Sequence, residues 1–381
     1  MHYQSSYKAP VLPRIQASQL PSFPKIPAFR RHSITMIECI FTLDYEIYGN
    51  GEGSLKELIY DPAQTLIHIF EKYDKRFVVF VEAAELDKIQ EVNGDATISK
   101  IREQIQEFHS KGFEIGLHLH PQWYNADYEN GRWLLDYSEY NLCTLPRERI
   151  VQIVDRAIDY LRDVLGVSDF IPLSFRAGNW LFQPAETAAK VLAERGIKVD
   201  SSVFKGGLQH LHKLDYRRAL RNGDYWTFTE CSDVHDPDGI LLEMPIYTHM
   251  VPFWKMITSK RLGMQQKGSS SQNNRKKKFY RLLDFLRFRQ PLKLDFCRMT
   301  TTELTHMMDA VIRKDEKTPE LYKPIVAIGH TKDLVDFDTV EFFLSYLNTK
   351  GIEPATFEKA YKRCLDSLSE GKQNEGDTNS Y

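Results

Sequence analysis

The sequence predicts an α/β protein built as a distorted (β/α)7 barrel with a basic insertion. Three observations carry this expectation. Short apolar runs alternate with helical ones along most of the 381 residues, which is the order of a parallel sheet. Seven such runs occur, near 36–43, 77–81, 113–119, 171–175, 197–199, 240–246 and 324–328, a number that suits a barrel better than an open sheet. The residues closing these runs are polar and chemically able: Asp44 and Glu46, Glu82, His118 and His120, Arg176, Asp200 and His330. In a barrel, strand C-termini share one mouth, so these side chains would converge there.

Residues 1–33 carry Pro10, Pro13, Pro21, Pro24 and Pro27 without apolar periodicity, and read as an irregular lead-in. Met36–Leu43 is β-rich. Asp61-Pro62 is expected to cap a helix whose apolar positions are Leu66, Ile69, Phe70 and Tyr73. Phe77–Val81 is continuously apolar, as in a strand buried on both faces. A helix over about Ile98–Ser110 leads into Phe113–Leu119. There, alternation turns His118 and His120 to one face and Ile115, Leu117 and Leu119 to the other. Pro121 ends that strand, and a long loop runs to about Leu145.

Arg147–Val164 has strong helical spacing. The Ile171–Phe175 strand, the Pro184–Arg195 helix with Gly196 to end it, Ile197–Val199 and Ile240–Ile246 follow. Thr302–Ile312, Pro324–Ile328, Val340–Thr349 and Ala355–Ser369 complete a barrel domain spanning 34–370, and residues from Gly371 are expected to form a disordered tail.

Net charge is −2, but Lys255–Lys293 holds 12 basic residues and one acid, so the remainder is acidic. An acidic body argues against nucleic acid as a partner. Within the insert, Phe279, Leu282, Leu283, Phe285 and Leu286 form an apolar stripe flanked by basic residues. Residues 275–289 therefore read either as a peripheral contact with anionic lipid or as a lid on the barrel mouth. No apolar run is long enough to span a membrane, and the N-terminus lacks a signal-peptide core. Five scattered cysteines without a C-x-x-C pair fit a reduced, cytoplasmic setting.

A carboxylate and two imidazoles make a three-ligand N/O site with an open position, the pattern of a catalytic divalent metal. His118, His120 and one carboxylate of Asp44 and Glu46 are the expected ligands. Zn2+ is the first candidate, with Co2+, Ni2+ or Mn2+ as alternatives. The other carboxylate is then the base, Arg176 pairs with it, Asp200 holds Arg176, and His330 protonates the leaving group. Glu82 reads as structural. Trp123 and Trp180 read either as sugar-stacking rings or as core packing.

The chain resembles the polysaccharide deacetylases with a NodB-homology domain. Thr42-Leu-Asp-Tyr-Glu46 resembles the family's T-F-D-D, and His118-Leu-His-Pro121 its H-[ST]-x-x-H-P. Arg176-Ala-Gly-Asn resembles the motif-three Arg, Asp200-Ser-Ser-Val the motif-four Asp, and Ile325-Val-Ala-Ile-Gly-His330 its L-x-L-x-H. The order matches over about 35–350. The acidic pair is separated here by Tyr45, and the second histidine follows after two residues instead of four, as in a divergent branch similar to lipopolysaccharide and capsule biosynthesis proteins.

The resemblance implies a distorted barrel of about seven strands and metal-dependent removal of an N- or O-acetyl group from a carbohydrate or glycolipid of the cell envelope. By register with the family's first motif, the resemblance gives Asp44 the base role and Glu46, with His118 and His120, the metal-binding role, or the two carboxylates exchanged. Two other functions fit the same residues: a metal-free hydrolase of C–N bonds in small imides or amides, and a catalytically silent glycan-binding or scaffold protein. The oligomeric state is not legible in the sequence.

Overall fold

A computed structural model of the chain describes residues 35–258, 260–261, 284 and 287–378. Seven parallel strands make the barrel: β1 (Ile37–Tyr45), β2 (Val78–Glu82), β3 (Glu114–Leu119), β4 (Ser174–Ala177), β5 (Val199–Asp200), β6 (Leu241–Glu243) and β7 (Lys323–His330). Their order across the curled sheet is β7-β1-β2-β3-β4-β5-β6. The two edges approach where Ile246, just past β6, pairs in parallel with Val326 of β7. The Tyr247 N–H donates to the Val326 carbonyl there at 2.9 Å. Trp226–Phe228 adds an antiparallel strand to β6, and Glu353–Ala355 a parallel one to the start of β1.

The helices are α1 (Asp61–Lys72), α2 (Ala83–Glu91), α3 (Ile98–Ser110), α4 (Arg147–Leu165), α5 (Glu186–Glu194), α6 (Thr301–Asp315), α7 (Phe337–Thr349) and α8 (Phe357–Thr378). Outward-facing strand residues such as Phe41, Leu43, Val79, Val81, Ile115 and Leu117 join the main apolar cluster with the helices. Inward-facing Ile40, Val78, Phe80, Leu242 and Val326 form a second cluster, completed by Phe357 and Ala360 of α8. The strands are apolar on both faces because both faces are buried.

Several boundaries differ from expectation. β4 begins at Ser174, and Ile171 is exposed. Asp61 is not a cap: a π turn over Lys56–Tyr60 runs directly into α1, and the missing donor of Pro62 falls at that junction. α2 was not expected. It starts immediately after β2, and the Glu82 side chain caps it by accepting the Glu85 N–H at 3.4 Å. The 122–145 loop contains a small hairpin, Asp127–Glu129 with Arg132–Leu134. Helical backbone continues to Thr378, where a disordered tail was expected from Gly371.

The legs of the basic insert pair as an antiparallel ribbon, Thr248–Pro252 with Arg289–Lys293. The lead-in 1–33 and the amphipathic stretch 275–289, apart from Asp284 and residues 287–289, lie outside the described residues. No helix among the described residues is long and apolar enough to cross a membrane.

Candidate metal and active centre

Strand register decides what faces the barrel interior. Asp44 on β1 is level with His330 on β7 and Phe80 on β2. One step toward the mouth, Glu82 on β2, His118 on β3 and Arg176 on β4 are level with one another. Glu46 and His120 follow just beyond the ends of β1 and β3. All of these polar residues are buried.

Arg176 donates to Asp44 Oδ1 at 2.6 Å and to Thr42 Oγ1 at 3.0 Å. Its other nitrogens donate to the Ser201 carbonyl at 2.9 Å and to Ser201 Oγ at 3.1 Å. The guanidinium lies 4.2 Å from the centre of the Phe80 ring. Gly116 makes this possible, because a Cβ there would stand 2.7 Å from the Phe80 ring. Burial opposes charge on Asp44, but Arg176, His118 and His330 outweigh it and hold the carboxyl below its ordinary range. His330 Nε2 is 3.4 Å from Asp44 Oδ2, and burial keeps His330 below the usual imidazole pKa.

Glu46 Oε2 lies 3.0 Å from His120 Nε2 and 3.5 Å from His118 Nε2. Lys332 Nζ donates to Glu46 Oε1 at 2.8 Å. Burial opposes ionisation of Glu46, yet Lys332 and His120 keep its pKa well below normal. His118 Nδ1 donates to the Arg176 carbonyl at 2.8 Å, which turns Nε2 toward the carboxylates. Burial works against a charged His118, but Asp44, Glu46 and Glu82 carry it up to about 9. Burial raises Glu82, whose Oε2 has no partner and lies 4.0 Å from His118 Nε2.

These residues fit a divalent ion. One ligand atom from each of Glu46, Glu82, His118 and His120 lies within 4.8 Å of the others, and a second group, Asp44, Glu46 and His330, overlaps it at Glu46. The carbonyl behind His118 is the usual orienting partner of a metal-bound imidazole. His120 Nδ1 faces the side-chain nitrogens of Gln122 at 3.3 Å and Asn179 at 3.2 Å. Gln122 Oε1 is buried without a partner. A half-turn of that amide would set the oxygen on Nδ1–H and free Nε2 as a ligand. Gly178 leaves space for the ring, since a Cβ there would come within 2.6 Å of His120.

The structure brings Asp44, Glu46, His118, His120, Arg176 and His330 together, and Asp44 pairs with Arg176 as expected. Asp200 does not join them. It is level with Phe175, which packs outward, so its side chain faces the helical layer. There it accepts from Ser202 Oγ at 2.6 Å and neighbours Glu243. Ser201 takes the role expected of Asp200 in holding Arg176. Glu82, read as structural, caps α2 and also stands among the four groups that could hold a metal ion. Trp123 is core packing against Trp133, whereas Trp180 lines the site cavity of about 180 Å3.

Fold and site together define a (β/α) barrel with a buried carboxylate–imidazole centre at its mouth. The chain is similar to a Mycobacterium smegmatis protein assigned to the polysaccharide deacetylases, at 14% identity over 91% of this chain and 95% of that one, with a TM-score of 0.46. It is similar to a PuuE allantoinase at 11% identity, 89% and 91% coverage and TM-score 0.46. It is also similar to the 4-alpha-glucanotransferase of Thermococcus litoralis at 13% identity, 86% and 40% coverage and TM-score 0.49. A family 4 carbohydrate esterase from Streptomyces lividans and a peptidoglycan N-acetylglucosamine deacetylase stand among the other similar structures. No family model and no curated protein matches the sequence.

Proposed function

We propose that the chain is a metal-dependent deacetylase that hydrolyses an N-acetyl or O-acetyl group of a cell-envelope glycan or glycan precursor. The observation that carries this reading is the convergence of Glu46, Glu82, His118 and His120 beside the Asp44–Arg176 pair and His330. Glu46, Glu82, His118 and His120 would hold the ion. When bound, a divalent ion polarises a carbonyl and makes a water more acidic.

Asp44, held ionised and fixed in angle by Arg176, takes the proton from the attacking water. His330, neutral at rest, takes that proton from Asp44 Oδ2 at its Nε2, 3.4 Å away, and as the imidazolium passes it to the departing nitrogen or oxygen, which restores both residues. The products are acetate and the free amine or hydroxyl of the sugar. Trp180 offers a ring face at the rim. The basic stretch 275–289 is proposed to touch anionic membrane from the cytoplasmic side. Liposome pelleting that is unchanged on deleting 266–290 would contradict that contact.

One observation favours a second reading, a metal-free hydrolase of C–N bonds. The Lys332 ammonium already neutralises Glu46 at 2.8 Å. The test is acetate release from N-acetylated and O-acetylated sugars before and after chelation. The first reading expects release that stops on chelation and returns with Zn2+. Full turnover of an amide or imide after chelation supports the second, and sugar binding without any turnover overturns both.

A further inference from the structure

Lys293 is the last residue of the insert ribbon, paired with Thr248. The chain then runs onto β7: Leu294 N–H donates to the Tyr247 carbonyl at 2.8 Å, and Asp295 pairs with Ile328, two residues before His330. This delivers Lys293 to the barrel mouth. Its Nζ lies 3.0 Å from the centre of the Trp180 ring and 4.7 Å from that of Phe204. Trp180 in turn lines the site cavity, with its ring centre 6.2 Å from that of His330. Asn179 and Trp180 both hold left-handed backbone, φ 53° and 60°, which is strained for residues with a Cβ. The Tyr216 hydroxyl, donating to the Trp180 carbonyl at 2.7 Å, ties down that backbone.

The other cations of the mouth are already matched. Arg176 is on Asp44 at 2.6 Å, Lys332 on Glu46 at 2.8 Å, and Arg298 on Asp333 at 2.6 Å. Among the described residues, Lys293 Nζ has neither a hydrogen bond nor a carboxylate within 4.0 Å, only the two aromatic faces. Burial brings its pKa down to about 7, with the charges of Asp295 and Asp44 opposing and those of Arg298 and Arg176 assisting. A half-buried ammonium held by rings alone lacks an anion.

We propose that Lys293 is a specificity-determining residue that recognises an acidic group, a carboxylate or a phosphate, on the glycan bound at this site. The proposal rests on the glycan reading above and names the kind of glycan. The aromatic faces park the ammonium until the acid group of the ligand draws it out, while Trp180 packs against the sugar.

The test is calorimetric binding to the full chain, with no turnover required. The probes are N-acetylglucosamine, N-acetylmuramic acid, which adds a carboxylate, and N-acetylglucosamine 1-phosphate. The proposal expects at least one acidic probe to bind ten-fold or more tightly than the neutral sugar. Lys293→Gln should remove the preference, and Lys293→Arg should keep it, which also shows that the ribbon still folds. The two acidic arms tell carboxylate from phosphate. Equal binding of all three sugars, no binding of either acidic probe, or a preference that survives Lys293→Gln overturns it. Acidic-sugar binding without acetate release would sink the deacetylase reading and leave this one standing; acetate release without acidic preference would do the reverse.

Discussion

At the scale of single residues, side chains that hold other side chains set the chemistry of the centre. The base role proposed for Asp44 requires that Arg176 keep it ionised and aimed. Arg176 in turn rests on Phe80, which has room because residue 116 is glycine. Asp44→Asn should lower acetate release by about 100-fold or more, the usual worth of a positioned base, and leave bound metal unchanged. Arg176→Met should cost roughly 3–5 kcal/mol in a denaturant titration, because it strands the Asp44 carboxylate in the interior. Gly178→Ala pushes a methyl against the His120 ring and the Leu119 carbonyl. It should destabilise the fold by about 1–3 kcal/mol and weaken metal binding as well. The alternation of His118 and His120 and the Asp44–Arg176 pairing were legible in the sequence, since each follows from strand period and opposite charge. The outward turn of Asp200 was not, because it depends on a register with Phe175 that no local pattern records.

At the scale of elements, the seven strands were legible because each is a short apolar run ending in a polar residue. α2 was not, although Ala83, Ala84, Glu85 and Leu86 are good helix formers. It follows β2 without a loop, and Glu82 serves as strand end, helix cap and site residue at once. At the opposite end of the barrel, Glu114 of β3 accepts the Glu358 N–H of α8 at 2.9 Å and the Ser174 hydroxyl at 3.2 Å. Burial, opposed by those bonds, raises its pKa from 4.5 to about 7. The folded chain therefore holds this proton more tightly than the unfolded chain. Stability should fall as pH rises from about 4.5 to 7 and level off above. Glu114→Gln should flatten that part of the profile, which thermal melts from pH 4 to pH 8 would reveal.

At the scale of the whole molecule, closure of the sheet at Ile246 and Val326 is what makes distant residues neighbours. Asp44 and His330 are separated by most of the chain yet lie side by side. The barrel was readable from the count and order of its strands, and the shared mouth followed from it. Which side chains would close on one point was only partly readable, because interior facing is set by registers between strands. If the centre is a metal site, saturating ion should stabilise the folded chain by about 2.7 kcal/mol at 100 times Kd, seen as a rise in Tm over stripped protein.

The most direct measurement is elemental analysis of untagged protein, alongside His118→Ala and Glu82→Gln. A metal centre at the barrel mouth should give close to one divalent ion per parent chain, and little or none in either variant. A parent chain free of metal after purification without chelators, or a His118→Ala chain that keeps its full complement, would contradict it.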